Sequence, residues 1–468
     1  MAAMYDLRKH EPMNEQPLPT AAPAWRRLLY PVIIVLAGLA IRLPLLDAPG
    51  FLHDQEQFII WGYVAREHGL ARVYDAVETT GGTKRLSNYP PVQIYVCRLL
   101  AEAYPLITGR PIDLELLQEI NARAVTPSAL AAYALFKWPA VIADLATALL
   151  LYYSIRRRQS ITFAVSIGLV YVLLPNIWHN SAVWGAVDSL PALFVLASLE
   201  SSVRRRLHWM WPLAILAMLT KPQACIFLPI WICLSLRPQM PTARDVLIGA
   251  GAVLCLLVAL LFPFRNALAG VWETYVGASG FYPFTHLNGF SVWFLGRPLA
   301  SSQLDGNLLE HYLRDDAVQL LGLTARQLGY LGMLLVTGYV IAIIWRLRCS
   351  IPAIHWAIRI LPLAFFVLST QMHERYLYSA VAAWAWTASP APRWWIAWLL
   401  LAGCAAINVF WVWVGPFGSA VAASLQNMLH QKWLGLVPGV WCSMALVGLL
   451  LFALRPPALR AKALQAAV

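Results

Sequence analysis

The sequence predicts an all-α integral membrane protein with about twelve transmembrane helices. Three observations carry that expectation. Hydrophobic residues make up 60% of the 468 and charged residues only 12%, with a mean hydropathy of +0.61, a balance outside the range of ordinary soluble domains. Apolar stretches close to the ~20 residues that a helix needs to cross the hydrocarbon core recur along almost the whole chain. Lys and Arg fall in short clusters between these stretches, as the positive-inside rule requires of cytoplasmic loops. The net charge of +12 is therefore a matter of topology, and no nucleic-acid partner is expected.

The elements follow in order. Residues 1–27 are polar, contain proline and end in Arg26-Arg27, so they read as a disordered cytoplasmic tail and not as a signal peptide. Leu28 to Leu46 leaves the cytoplasm, and Ala129 to Ile155, which ends in Arg156-Arg157-Arg158, returns to it. Residues 47–128 then form one long outer loop. Within that loop Val92 to Tyr104 is too short to span and is expected to lie at the interface as an amphipathic helix. Further spans are expected near 161–177, 187–201, 208–220, 222–236, 246–263, 329–346, 353–369, 376–388, 394–414 and 433–453. Arg204 to Arg206, Arg237 with Arg244, Arg346 with Arg348, Arg393, and Arg455 with Arg460 and Lys462 then all face the cytoplasm, as do both termini. Residues 264–328 make a second long outer segment, apolar enough around Asn288 to Leu299 to hold a re-entrant or interfacial helix. No internal repeat or low-complexity linker divides the chain, so 28–455 reads as one membrane domain and 456–468 as a cytoplasmic tail. The seven cysteines lack metal-ligand spacing and mostly sit in apolar runs, where Cys behaves as a small hydrophobe.

Polar residues near membrane level are expensive and point to function. Here they gather on one side. Asp54 and Glu56 open the first outer loop, and Tyr89-Pro90-Pro91 follows Asn88 further along it. Asn180, Trp184 and Asp188 flank the turn between the third and fourth spans. Lys221 and Gln223 sit at the next outer turn, and His373-Glu374-Arg375-Tyr376 at another. Plainer roles remain open for several. Pro90-Pro91 suits a helix start, Asp188 an N-cap, Lys221 a snorkelling lysine, and His373 to Arg375 an interfacial salt-bridged turn. Lys137 and Asp144 share one face of the second span about two turns apart. Lys137 is placed to reach the outer site, and Asp144 to make an interhelical polar contact.

The order Asp54-x-Glu56 with Trp61, Tyr89-Pro90-Pro91 with Tyr95, Asp144, and His373-Glu374-Arg375 resembles the dolichyl-phosphate-glucose glucosyltransferases of N-glycan assembly, within the GT-C superfamily. The chain is also similar to bacterial mannosyltransferase-like relatives with WGQxD, KPQ and HERY motifs. Here these read Trp184-Gly185-Ala186-Val187-Asp188, Lys221-Pro222-Gln223 and His373 to Tyr376. Ala186 replaces the usual glutamine. His286 to Trp293, with Asn288, is similar to an NAFNLW-like stretch with Gly and Ser substituted. The resemblance covers about residues 30–390 and implies a GT-C fold with interfacial helices and the catalytic carboxylate in the first outer loop. It implies a polyprenyl-phosphate-linked sugar as donor, a glycan, lipid or protein as acceptor, and a bacterial inner membrane with the site on the periplasmic side.

The chemistry suits these residues. Transfer of a hexose, glucose or mannose, from a lipid phosphate needs a base for the acceptor hydroxyl and cations for the departing phosphate. Attack opposite the leaving group inverts the anomeric centre and needs one carboxylate. Asp54 is the candidate base, with Glu56 beside it, and His373, Arg375 and Lys221 are the candidate phosphate-binding groups. A lipid monophosphate leaves without further activation, so no cofactor is expected, although Asp54 with Glu56 offers a weak site for a divalent metal. Glu374, Tyr376, Tyr89, Pro90, Trp184, Asp188, Asn180, Gln223, Lys137 and Asn288 are expected to shape the site. The alternative is a polytopic lipid-carrier flippase or transporter, which would set its charges near the midplane and commonly repeat its halves.

Overall fold

Helices occupy every expected span, and their ends are set by proline and by the polar turns. The computed structural model describes residues 24–79, 82–204, 206–236, 243–280, 282–296, 314–413 and 436–457. Seventeen α-helices make up most of these residues. Six segments are long and apolar enough to cross a membrane: Leu28–Leu45, Pro127–Ile155, Arg244–Phe264, Ala325–Arg346, Ile351–Leu368 and Pro392–Val412. Ile161–Leu173 and Pro175–Trp184, bent by 51°, make a seventh if taken as one broken span. The break follows from Pro175, since Leu174 before it is extended at ψ 129° and the helix restarts at the proline.

The other expected spans are shorter. Ser189–Val203, Leu207–Thr220, Leu228–Ser235 and Tyr378–Trp386 have 15, 14, 8 and 9 residues, less than the ~20 that cross a bilayer unaided. They end early at the turns carrying Asp188, Lys221 and His373 to Tyr376. Leu436–Ala453 closes the described chain.

Four expectations are corrected. The first helix begins at Ala24 and not at Leu28, while residues 1–23 and 458–468 of the two expected tails lie outside the described residues. The segment expected at Val92 to Tyr104 is a longer helix, Pro91–Thr108. Its buried Ile94, Cys97, Ala101 and Tyr104 recur at helical spacing, and they face Leu52–Glu67 across Gly62. A Cβ on Gly62 would meet the Cys97 carbonyl oxygen at 2.7 Å, so glycine is what lets these two helices touch. Two short hairpins interrupt the all-α reading, Ala76–Thr79 with Gly82–Arg85 and Gln319–Leu320 with Leu323–Thr324. They are too short for an alternating pattern to register. Around Asn288 the described residues form no re-entrant helix: Leu287 and Asn288 bridge His373 before a single 3-10 turn at Val292–Gly296. Residues 297–299 lie outside the described residues.

The first loop carries its own apolar core, in which Phe58, Trp61, Tyr74, Leu116 and Tyr133 pack together. This core joins the loop helices to the start of Pro127–Ile155 and so fixes where Asp54 stands. A larger core fills the remaining bundle.

Inside that bundle lies a fully buried ion pair. Arg42 reaches Asp144 at 2.8 Å and donates to the carbonyls of Gly38 and Val172 at 2.9 and 3.1 Å. Asp144 also accepts from Ser181 at 2.6 Å and Tyr378 at 2.5 Å. Four segments thus meet on one carboxylate, the interhelical contact expected of Asp144. Asp144→Ala strands a buried guanidinium and should destabilise the protein by about 3–5 kcal/mol. The double substitution Arg42→Met with Asp144→Leu should recover most of that loss. Denaturant unfolding in detergent measures both, and a double variant no more stable than the single would mean that the pair itself is net stabilising.

Candidate active site

The site is built where five turns meet at one end of the helices. Asp54 stands in the first turn of Leu52–Glu67, and several side chains fix the entry to that turn. Gln55 accepts from the Gly50 N–H at 2.5 Å and donates to the Tyr133 carbonyl at 2.9 Å. The Phe51 N–H donates to the Trp184 carbonyl at 2.9 Å, and the Phe51 ring stacks on the Trp184 indole at 4.3 Å. Trp184 completes the link by donating its Nε1–H to Asp54 Oδ2 at 2.6 Å.

The second ligand of Asp54 is Arg375. Its Nη2 lies 3.3 Å from Oδ1 and 3.2 Å from Oδ2. Nη1 donates to Glu374 at 2.9 Å, and Nε lies 3.6 Å from Asp188. The guanidinium also rests 5.4 Å over the Trp184 ring. Burial disfavours this charge, but Asp54, Glu374 and Asp188 outweigh it and hold the guanidinium well above its ordinary range. For Glu374, burial works to raise the carboxyl, yet the adjacent His373 and Arg375 prevail and lower it.

Asp188 sits at the N-cap position of Ser189–Val203 without making a side-chain cap. It accepts instead from Lys221. Lys221 does not snorkel, since it is 3% exposed and its Nζ lies 4.9 Å over Tyr376 and 5.6 Å over Tyr89. Burial raises both phenols despite the neighbouring cations, so both remain neutral. Three carboxylates therefore face two paired cations. A cavity of about 20 Å³, room for about one water, touches Asp188, Lys221, Gln223, Tyr376 and Ser379.

The turn carrying Arg375 is held from a distance. Met372 O accepts from the N–H groups of Leu287 and Gly289 at 2.9 and 3.0 Å. A Cβ on Gly289 would sit 2.5 Å from that oxygen, so glycine is required there, while Asn288 takes the left-handed φ of 62° that Asn tolerates. Asp315, which sequence reasoning passed over, binds Thr370 at 2.9 Å and Gln371 at 2.8 Å. Arg326 grips it with two bonds. No local pattern marks Asp315, because its partners come from other segments.

Other expected residues serve nearby or elsewhere. Pro90 is the N-cap and Pro91 the first residue of Pro91–Thr108, the helix-start role, and the Tyr89 carbonyl accepts from Tyr74 at 2.8 Å. The Asn180 carbonyl accepts from the Ala186 N–H at 2.9 Å, and its buried side-chain amide has no partner among the described residues. His373 is half-buried with its ring against Tyr282 and Tyr376. Glu56 stands outside the cluster; burial raises its carboxyl, with His53 opposing. Lys137 is directed away, donating to the Leu45 and Ala48 carbonyls at 2.9 and 2.7 Å. Among the described residues no three His, Cys, Asp or Glu side chains are arranged to hold a metal ion. No protein-family model matches the chain, and no curated protein matches it.

Because the Glu374 carboxyl is lowered in the folded state, its ionisation adds stability that is complete above the ordinary glutamate range and lost as pH falls through the lowered value. Glu374→Gln should be less stable than the parent at pH 7, and the gap should close only as pH falls below the ordinary glutamate range. Thermal unfolding across that window measures this, and parallel curves would refute a contribution from the charge.

Proposed function

We propose that the protein is an inverting GT-C glycosyltransferase that moves a hexose, glucose or mannose, from polyprenyl phosphate to a hydroxyl of a glycan, lipid or protein acceptor. The observation that supports this reading is the direct contact of Asp54 with Arg375, brought together across 321 residues of sequence. It puts a candidate base and a candidate phosphate partner at adjoining atoms. On this reading the shorter helices complete a domain of about twelve crossings, both termini are cytoplasmic, and the site faces the extracytoplasmic side of a bacterial inner membrane.

The geometry suggests how the two groups are coupled. A phosphate dianion competes for Arg375 better than one carboxylate does, since it offers more acceptor oxygens to the planar fork. Its arrival frees Asp54 Oδ1 while Trp184 keeps Oδ2 in place. The acceptor hydroxyl then gives its proton to Asp54 as its oxygen bonds to the anomeric carbon, and the carbon–oxygen bond to phosphate breaks with its electron pair leaving on the lipid phosphate. Arg375 stabilises that charge, with Lys221 and His373 close by, so the departure does not require a metal.

Asp54→Asn preserves shape and removes the proton acceptor. Release of polyprenyl phosphate from a panel of polyprenyl-phosphate sugars should fall by about 10²- to 10⁴-fold. Donor affinity should hold or tighten, because Arg375 loses a competing charge. Wild-type turnover in this variant would remove Asp54 as the base. Movement of the lipid sugar across the bilayer with no release by the parent protein would replace the enzyme reading with a flippase.

A further inference from the structure

The far ends of the same helices hold a second cluster of charge. Glu200 lies twelve residues beyond Asp188 along Ser189–Val203, which is about 18 Å of helix. There Arg158, in the turn after Pro127–Ile155, donates to the Trp386 carbonyl at 2.7 Å, and its Nη1 meets His355 Nε2 at 3.1 Å. A guanidinium has no lone pair, so this ring nitrogen is the acceptor and the imidazole carries its proton on Nδ1. Arg359 donates to the His355 carbonyl at 3.2 Å and lies 5.7 Å over the Trp384 ring. Arg158 lies 5.6 Å over Trp386 in the same way.

These charges are not balanced. Arg359 is eight residues into Ile351–Leu368, about 12 Å from its first residue, and half-buried. Among the described residues neither Arg158 nor Arg359 has a carboxylate within ion-pair distance. Glu200, the acid of this region, is taken by Arg204 at 2.6 Å, Ser154 at 2.5 Å and Trp386 at 3.1 Å. Arg158, Arg204 and Arg359 against one Glu200 leave two positive charges. A guanidinium held that far along an apolar helix calls for an anion.

We infer that Arg158, His355 and Arg359 form a second anion site, away from Asp54, that takes the phosphate group of a phosphate ester. The two guanidinium groups supply charge and the rings beneath them a rigid floor. Two sources carry this chemistry, a lipid headgroup of the adjoining leaflet and a soluble phosphate.

The full-length protein in dodecyl maltoside micelles, which contain no phosphate, is compared with the same protein in micelles supplied with phosphatidylglycerol and in micelles titrated with inorganic phosphate. One arm should raise the unfolding midpoint, which identifies the source. Arg158→Gln and Arg359→Gln should each weaken that binding on the order of fivefold, and Arg359→Lys should retain most of it. Arg158 lies in an exposed turn, so its variant decides the matter even if Arg359→Gln fails to fold. Absence of stabilisation in both arms overturns the inference, as does stabilisation that Arg158→Gln leaves intact.

Discussion

The Arg375 guanidinium, 8% exposed and ringed by Asp54, Glu374 and Asp188, is the constraint on which the site depends. A buried charge without partners is far costlier than any packing defect near it. Each carboxylate must therefore be delivered to one point by a different part of the chain. Several local oddities follow from that demand. Asp188 forgoes a helix cap, Gly289 allows backbone to press on Met372, and Asp315 gathers Arg326, Thr370 and Gln371 to steady the turn. None of these features makes sense within its own segment.

Two buried arginines divide the labour of the bundle. Arg42 with Asp144 ties helix to helix in the interior, where Ser181 and Tyr378 satisfy the remaining lone pairs of the carboxylate. Arg375 is tied at the end of the bundle to groups that exchange partners at low cost, because its carboxylates outnumber it. The first arrangement suits a strut and the second a switchable contact. Trp184 spans both descriptions, stacked rigidly on Phe51 and bonded to the one carboxylate that the proposed reaction releases.

Much of this was legible in the sequence, for physical reasons that differ by residue. The helices were readable because membrane spans need long apolar runs, and each expected run coincides with a helix. Five of the polar turns were readable because charge beside apolar helices stands out. What escaped were contacts between distant segments. Lys137 looked like a site residue by position, yet backbone carbonyls at Leu45 and Ala48 claim it. Asp315 carries no local signal, because its partners Arg326, Thr370 and Gln371 lie further along the chain. Proline could be seen to break Ile161–Leu173 from Pro175–Trp184 in principle, but the 51° bend depends on what packs against it. The hairpins at 76–85 and 319–324 were too brief for periodicity to show.

The 321-residue separation between Asp54 and Arg375 also sets an order of events during synthesis. At ribosomal speeds of about 5–20 residues per second, Asp54 leaves the ribosome on the order of tens of seconds before its arginine exists. Trp184, Asp188 and Lys221 arrive in between, so Asp54 and the Asp188–Lys221 pair are made before Glu374 and Arg375 exist. The late turn brings Glu374 with Arg375, so it adds the guanidinium on which Asp54 and Asp188 converge without changing the net charge of the cluster. Site assembly therefore waits on synthesis past residue 375, and a nascent protein that stalls before that turn lacks the cation that Asp54 and Asp188 share.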